Sequence, residues 1–302
     1  VHHMVFDAWS MGLFWRDLLA AYSAAAGGGE ARLPPLPIRY RDHAWCQRAR
    51  LESGRLEAEL EHWTARLAGA PPRLELPTDR PRPPVESFGG ARRSRALDEE
   101  LARALGGLAA RRQATLFMVL LAGFKALLAR YSGQTDIVVG VPVAGRTHTE
   151  LEDVIGLFVN SLVLRTDLSG EPDFAELVER VRATSLEAFA HQDLPFERLV
   201  QALNPPRDLS HHPVFQVMFA LQNAPRAELP ATGLEVQPLR AERVSSQFDL
   251  TLHAWELGGR VVLTAEYKRR LFDEATIDRM LEHYERLLAQ VAADPGCRPS
   301  RA

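Results

Sequence analysis

Apolar residues recur at helical spacing near the start of the chain, where Leu13, Phe14, Leu18 and Leu19 fall along MGLFWRDLLAAY. That spacing predicts a helix, and Asp7 and Ser10 are both placed to cap it. The pattern stops at AAAGGGEARLPPLP, a Gly- and Pro-rich stretch that predicts an exposed connection. Two further helical patterns run from about Asp42 to Leu51 and from about Leu56 to Leu67. APPRLELPTDRPRPP (70–84) can continue neither, because proline lacks a donor and blocks the helix, so this segment is predicted to run extended. A strand over 88–97 follows, then a helix capped by Asp98. The next helix spans 116–131, capped by Thr115, with Phe117, Leu120, Leu121, Phe124, Leu127 and Leu128 facing a core. β-Branched runs predict strands over 136–143 and 159–166. Helices are predicted over 174–190 and 195–203, the second with Pro195 in its first turn. Strands over 214–221, 248–256 and 260–267 precede an amphipathic helix over 273–292. Interleaved strands and helices predict α/β layers, neither a bundle nor a sandwich, and there is no internal repeat.

Composition narrows the class. Of 302 residues, 46% are hydrophobic and 25% charged, which excludes a disordered tail, a collagen-like fibre and a small disulfide scaffold. The length allows one large domain or two of about 150 residues. With 36 Lys+Arg against 39 Asp+Glu the formal charge is −3, so no global field draws nucleic acid or anionic lipid, and neither is an expected partner. Cys46 and Cys297 stand in no metal or redox spacing, which predicts a reducing, cytoplasmic compartment. The most apolar stretch, Leu116 to Phe124, ends at Lys125, well short of the ~20 residues a membrane span needs. The opening VHHMVFDAWS lacks a secretory pattern and an initiator Met, as expected of a piece cut from something longer. DPGCRPSRA at the other end reads as the start of a linker.

The densest polar signal is His2-His3-x-x-x-Asp7. An imidazole exchanges a proton near neutral pH, and a carboxylate four residues on can order the loop or hold a cation. From these letters alone, three plainer readings compete. HHM resembles an affinity-tag scar; the histidines could ligate a metal, although no HExxH or CxxC accompanies them; or a buried ring could satisfy a backbone partner. His211-His212 reads as a capped loop. There is no GxSxG, GxxxxGK[ST] or GxGxxG, and Gly27-Gly28-Gly29 reads as a flexible tip. Arg92-Arg93 and Lys268-Arg269-Arg270 read as solvated strand faces or edge protection, and Asp193 with Glu197 as a helix start.

HHMVFDAWSMGLFWRDL resembles the HHxxxDG motif of condensation domains from nonribosomal peptide synthetases. Similar blocks follow in order: YRDHAWCQ, LAGAPPRLELPTDRPRP, GVPVAGR, IGLFVNSLVLR, HQDLPFERLV, RDLSHHPVFQVMF and SQFDLTL. Each is weak alone; together they span nearly the whole chain, which no tag scar would do. The resemblance implies an α/β, chloramphenicol-acetyltransferase-like two-lobe fold. Residues 1–80 would be the remaining part of the first lobe and its crossover, 81–293 a complete second lobe, and 294–302 the start of an interdomain linker. It implies amide formation between carrier-bound thioesters delivered on phosphopantetheine arms, with no cofactor or metal held by the domain itself. Upstream and downstream peptidyl carrier domains and an adenylation domain are the implied partners.

By the same resemblance His3 is the catalytic residue, while His2 and Asp7 are structural, Asp7 pairing with an arginine that could stand upstream of this chain. Ala8, Ser10, Asn160, Arg146 and Arg207 are implied tunnel or interface residues, with Ser10 expected to act as a helix cap. The motif surroundings match domains joining L-configured donors to L-configured acceptors. Heterocyclising relatives would carry aspartates at His2 and His3, and epimerising ones would lack HQDLPFERLV. A fatty-acyl starter domain and a non-catalytic recruitment platform remain as alternatives, and the fragment alone is expected to be inactive because half the tunnel is absent. Ala8 replaces the usual Gly; positive φ there would cost about 1–2 kcal/mol, so negative φ or slight strain is expected. His43 and Cys46 stand where aromatics are usual, His212 where Asn is usual, and YKRRLFD lacks the neutral-to-acidic residues typical before LFD.

Overall fold

The computed structural model describes residues 1–206, 208–222, 234 and 244–300. These fall into two compact units that interleave along the chain. One is built from the described residues of 1–59, 143–160 and 223–241, the other from those of 60–142, 161–222 and 242–302.

The second unit carries a six-stranded sheet in the order β1-β6-β5-β4-β2-β3. Its strands are β1 (Gly90–Leu97), β2 (Asp136–Val143), β3 (Asn160–Asp167), β4 (Val217–Gln222), β5 (Leu250–Leu257) and β6 (Arg260–Lys268). β6 pairs antiparallel with both β1 and β5, whereas β4 lies parallel to both β5 and β2. Leu257 pairs with Arg260 across Gly258-Gly259, whose φ values of 57° and 82° are the positive pair that a tight hairpin matching the sheet twist demands.

Helices α4 (Glu99–Arg111), α5 (Leu116–Ser132), α6 (Phe174–Ala190), α7 (Phe196–Leu203) and α8 (Glu274–Ala293) complete this unit, with α3 (Glu57–Leu67) leading into it. Asp98 and Thr115 cap α4 and α5 as expected, accepting the N–H groups of Leu101 (2.7 Å) and Met118 (3.3 Å). α5 stops at Gly133, which takes the left-handed conformation at φ 70°. Pro195 is the N-cap of α7 instead of lying inside its first turn. The expected one-sided face of α5 is wrong in detail: 118–128 is buried all round, while Phe117 is only half-buried. Packing against α4, α6 and α8 encloses α5 on more than one side.

That enclosure includes Lys125. Its Nζ donates to the Leu164 carbonyl and to Thr166 Oγ1, each at 2.7 Å, and burial pulls its pKa well below the usual lysine value. Lys268, expected on a solvated face, is 2% exposed. It sits against Glu86 and within 3.5 Å of Asp249, which Arg82 also grips. The alternation of β6 turns it inward, and these carboxylates compensate its charge. The Pro-rich segment 70–84 holds no regular element and is tied down by Leu74 N–H to Gln216 (2.9 Å) and Asp79 N–H to Leu271 (2.9 Å). His212 stands in a loop as expected, its Nδ1–H donating to the carbonyls of Pro213 (2.7 Å) and Phe215 (3.1 Å).

The first unit holds α1 (Ala8–Ala26) and α2 (Tyr40–Glu52). α1 buries Ser10, Leu13 and Leu19, whereas Phe14 and Leu18, expected on the same apolar side, are exposed. Among the described residues no single helix is long and apolar enough to cross a membrane.

Candidate active site

The histidine pair sits on a loop that folds into one short 3-10 turn, His3–Val5, just before α1. His2 Nδ1 accepts the Met4 N–H at 3.2 Å, so this ring caps the turn. His3 Nδ1 lies 2.6 Å from the carbonyl oxygen of Phe6. A carbonyl can only accept, so Nδ1 carries a proton, and that bond leaves Nε2 as the position for the lone pair of an uncharged ring. Both histidines are exposed, while the Phe6 side chain is buried edge-on against Phe14 at 6.2 Å.

Asp7 follows and is the N-cap of α1, accepting the Ser10 N–H at 2.8 Å. Its other oxygen accepts the Phe158 N–H at 3.0 Å, and Arg146 Nη2 donates to the carboxylate at 3.3 and 3.5 Å. Burial pushes the Asp7 pKa up, but the Phe158 and Ser10 hydrogen bonds and the Arg146 charge outweigh it, leaving the group below the ordinary aspartate value. The cap therefore belongs to Asp7, and the expectation of Ser10 as the cap fails. Ser10 is the third residue of the helix, fully buried, and its hydroxyl donates to the Gly156 carbonyl at 2.9 Å. The same oxygen accepts the Gly156 N–H and Arg146 Nη2, both at 3.1 Å.

Arg146 closes the cluster from inside the chain itself, so no upstream arginine is needed as Asp7's partner. Its Nη1 donates to the carbonyls of Leu151 and, at 2.7 Å, Val154. Its guanidinium stacks over the Phe158 ring at 4.1 Å from the centroid. Burial lowers its pKa and Asp7 opposes that, yet arginine stays charged at any ordinary pH. Tyr40 OH donates to the Leu157 carbonyl at 2.9 Å, and Trp9 Nε1 to that of Glu152 at 2.9 Å. Segment 143–160 is thus joined to α1 and α2 by side chains reaching backbone and by the side-chain pairs of Arg146 with Asp7 and Ser10 and of Arg16 with Asp153. Gly145, at φ +66°, allows the close approach: a Cβ there would stand 1.9 Å from the Phe158 oxygen. His43 lies 4.8 Å from the Phe158 ring, its pKa lowered by burial first and then by Arg146, Arg50 and His148.

Asp7, Ser10 and Arg146 are therefore brought together, on the loop that continues from His2 and His3. Ala8 is the first residue of α1 and is not among the positive-φ residues, so the replacement of Gly costs no strain. Asn160 opens β3 half-buried, and Arg207 lies outside the described residues. Sequence reasoning misses Tyr40, Gly156 and Phe158; a glycine inside the otherwise bulky IGLFVNS is the available sign. The second unit has a cleft of about 670 Å³ lined by His62, Arg66, Asp136, Arg165, Asp167 and Glu187. Its charges answer one another, Arg165 clasping Asp136 at 2.8 to 3.1 Å, which gives it a structural character.

A sequence profile of the condensation domain matches residues 1–301. The chain belongs to the condensation-domain family. It is 50% identical over 297 residues to a linear gramicidin synthase polypeptide of Brevibacillus parabrevis, covering 98% of this chain and 4% of that protein. Phosphinothricin tripeptide synthetase PhsC of Streptomyces viridochromogenes is 46% identical, with 98% of this chain matched to 27% of it. The chain thus spans a small part of the curated relatives. Among solved structures, the X-domain from teicoplanin biosynthesis superposes with a TM-score of 0.90 at 32% identity, over 99% of this chain and 70% of that one. A four-domain nonribosomal peptide synthetase bound to AMP and glycine superposes at 0.85 and 26%, over all of this chain and 24% of that one. The fold is the α/β, chloramphenicol-acetyltransferase-like fold of condensation domains, a family that forms amide bonds from substrates carried on phosphopantetheine.

Proposed function

We propose that this condensation domain joins a carrier-bound acyl or peptidyl thioester to the α-amine of a carrier-bound aminoacyl thioester, with His3 as the group that takes the amine's proton. The observation supporting this is the Nδ1–H bond of His3 to the Phe6 carbonyl, which holds the ring in the tautomer with a free Nε2. The amine nitrogen attacks the thioester carbonyl carbon and the C–N bond forms. As the C–S bond then breaks, the amine proton passes to Nε2 and on to the departing thiolate, so amide and thiol are the products.

A free α-amine has a pKa of about 7.7–8.0, so a useful fraction is already unprotonated at neutral pH. General-base help supplies about 10²–10⁴-fold, whereas oriented delivery supplies effective molarities of about 10⁵–10⁸ M. Delivery of the tethered substrates should therefore dominate. His2 and Asp7 hold the loop, and Asn160 is assigned to the tunnel wall or to steadying a crossing loop. The reading includes L-configured donor and acceptor, carrier and adenylation domains as neighbours, a cytoplasmic setting and no resident cofactor or metal. Residues 1–80 with 81–293 are assigned to first and second lobes, and 294–302 to a linker.

His3→Ala should slow amide formation by about 10²–10⁴-fold, with turnover of the most reactive amines still detectable by mass spectrometry of the carrier-bound product. An unchanged rate would remove His3 from the chemistry. One observation favours a second reading, a recruitment platform: the teicoplanin X-domain is also known in complex with OxyB, at a TM-score of 0.89 to this chain. Such a platform has no use for His3, so the same variant separates the two.

A further inference from the structure

The Ser10 hydroxyl is saturated. A hydroxyl has one proton to donate and two lone pairs to accept with. Here the proton goes to the Gly156 carbonyl at 2.9 Å, and the lone pairs take the Gly156 N–H and Arg146 Nη2, each at 3.1 Å. The side chain is 0% exposed. Nothing is left over for a substrate oxygen, which removes Ser10 from the oxyanion donors.

The spacing of its partners tells more. Asp7 and Ser10 stand three residues apart at the start of α1, and Gly156 and Phe158, which they grip, stand two apart on an irregular segment. Both grips are made to backbone groups. A slip of the segment by one residue would offer Leu157 N–H to Asp7 and put a side chain where Gly156 now passes. No side chain fits there: a Cβ on Gly156 would stand 2.1 Å from the Tyr40 ring. Asp7 holds one N–H of the segment, that of Phe158 at 3.0 Å, and Tyr40 OH donates to the Leu157 carbonyl at 2.9 Å. Ser10 adds both the N–H and the carbonyl of Gly156.

We infer that Ser10 is a positioning residue for the reaction at His3, its hydroxyl fixing the register of residues 156–158 against the loop that carries the histidines. The inference rests on the amide-forming function proposed above. Arg146 is the link, because Nη2 is shared between Ser10 and the Asp7 carboxylate. Without the hydroxyl, the Gly156 N–H and carbonyl and one Arg146 N–H lose their partner in a dry site. The segment then shifts, Arg146 follows, and the Asp7 carboxylate is no longer held on both sides. Asp7 directly follows Phe6, whose carbonyl fixes the His3 ring at 2.6 Å.

The test is Ser10→Ala in the longest natural polypeptide containing this chain, beside wild type and His3→Ala. Steady-state amide formation is measured together with hydrogen–deuterium exchange. A misplacement of about 1 Å costs on the order of 10²-fold, so kcat should fall by about that much. KM for the aminoacyl carrier should stay within about threefold, because what is lost is alignment and not binding. Exchange should quicken over 154–158 and remain unchanged in β5 and β6. Wild-type kcat in the variant would overturn the inference, as would a loss carried wholly by KM. Faster exchange throughout the sheet would overturn it too, since Ser10 would then serve the fold at large. Absence of amide from wild type is a different failure: it sinks the proposed function, and this inference with it.

Discussion

The two units are held by opposite means. In the second, Leu105, Leu108, Leu120, Leu121, Phe219 and Leu288 are among many side chains buried to the last few per cent, packed between helices and one sheet. In the first, the apolar cluster under segment 143–160 is small, Leu151, Val154 and Phe158 with Ile38 and Tyr40 against them. Asp7, Ser10, Arg146 and Tyr40 also reach its backbone groups, and Arg16 pairs with Asp153. Apolar packing spreads stability over many contacts, each replaceable at modest cost. A buried polar lock concentrates it, since each missing partner strands another group away from water. The loop bearing His3 is attached to the second kind of structure, which fixes geometry tightly and tolerates substitution badly.

Arg146→Ala should therefore have the largest effect. It strands the Asp7 carboxylate, which is 5% exposed, and removes the donors to Leu151, Val154 and Ser10. Breaking a buried pair by deleting one partner costs about 3–5 kcal/mol. Chemical denaturation followed by exchange over 146–158 should show that loss in the first unit, with the sheet of the second unchanged. The lock is also acid-sensitive in a defined direction. Because the folded Asp7 pKa lies below 3.8, its stabilisation is present in full above that value and is lost as pH falls through the folded pKa. A variant as stable as wild type would mean that the apolar cluster alone carries the segment.

Much of the second unit is legible because its elements announce themselves locally. Asp98 and Thr115 stand immediately before apolar helical patterns. The motif carrying His3 and Asp7 is equally plain. What the letters hide is which distant residue completes each polar group. Arg146 lies 139 residues from Asp7, and nothing in the spacing joins them. Ser10 reads as a cap because serine before a helical pattern usually is one; Asp7, three residues earlier, satisfies that N–H first. Lys268 reads as a solvated strand face or edge protection, and Lys125 as the charge that ends an apolar stretch. Only the tertiary placement of Leu164, Thr166, Glu86 and Asp249 makes their burial possible.

Lys125 sharpens the contrast, being a polar group inside the apolar unit. Two acceptors at 2.7 Å match the two N–H bonds of a neutral amine, and no carboxylate among the described residues is bonded to it. Lys125→Met should cost about 1–3 kcal/mol at pH 10, from the hydrogen bonds lost. At lower pH the cost should shrink. The unfolded lysine binds a proton below its value of 10.5 while the folded one, lowered by burial, does not. Just below 10.5 wild-type stability therefore rises with pH, a slope the Met variant lacks. The denaturation midpoint of wild type relative to the Met variant should fall as pH is lowered from that value. Parallel lines would show that the amine stays charged in the fold.

The smallest effect belongs to a pair that looks similar on paper. Arg92 on β1 reaches Glu266 on β6 at 2.6 Å, but its side chain is 56% exposed. Water and salt screen such a pair, and the arginine gives up rotamer freedom to make it, so Arg92→Ala should cost less than about 1 kcal/mol and less still at high salt. Arg82 on Asp249, at 16% and 4% exposed, is the internal standard, because its loss leaves a buried carboxylate behind. Comparing the two alanine variants by denaturant midpoint at low and high salt separates contact from burial. If Arg92→Ala cost as much as Arg82→Ala, short distance would matter more than exclusion of water. The physical distinction drawn between the two units, polar groups that count only where water is kept out, would then fail within a single unit.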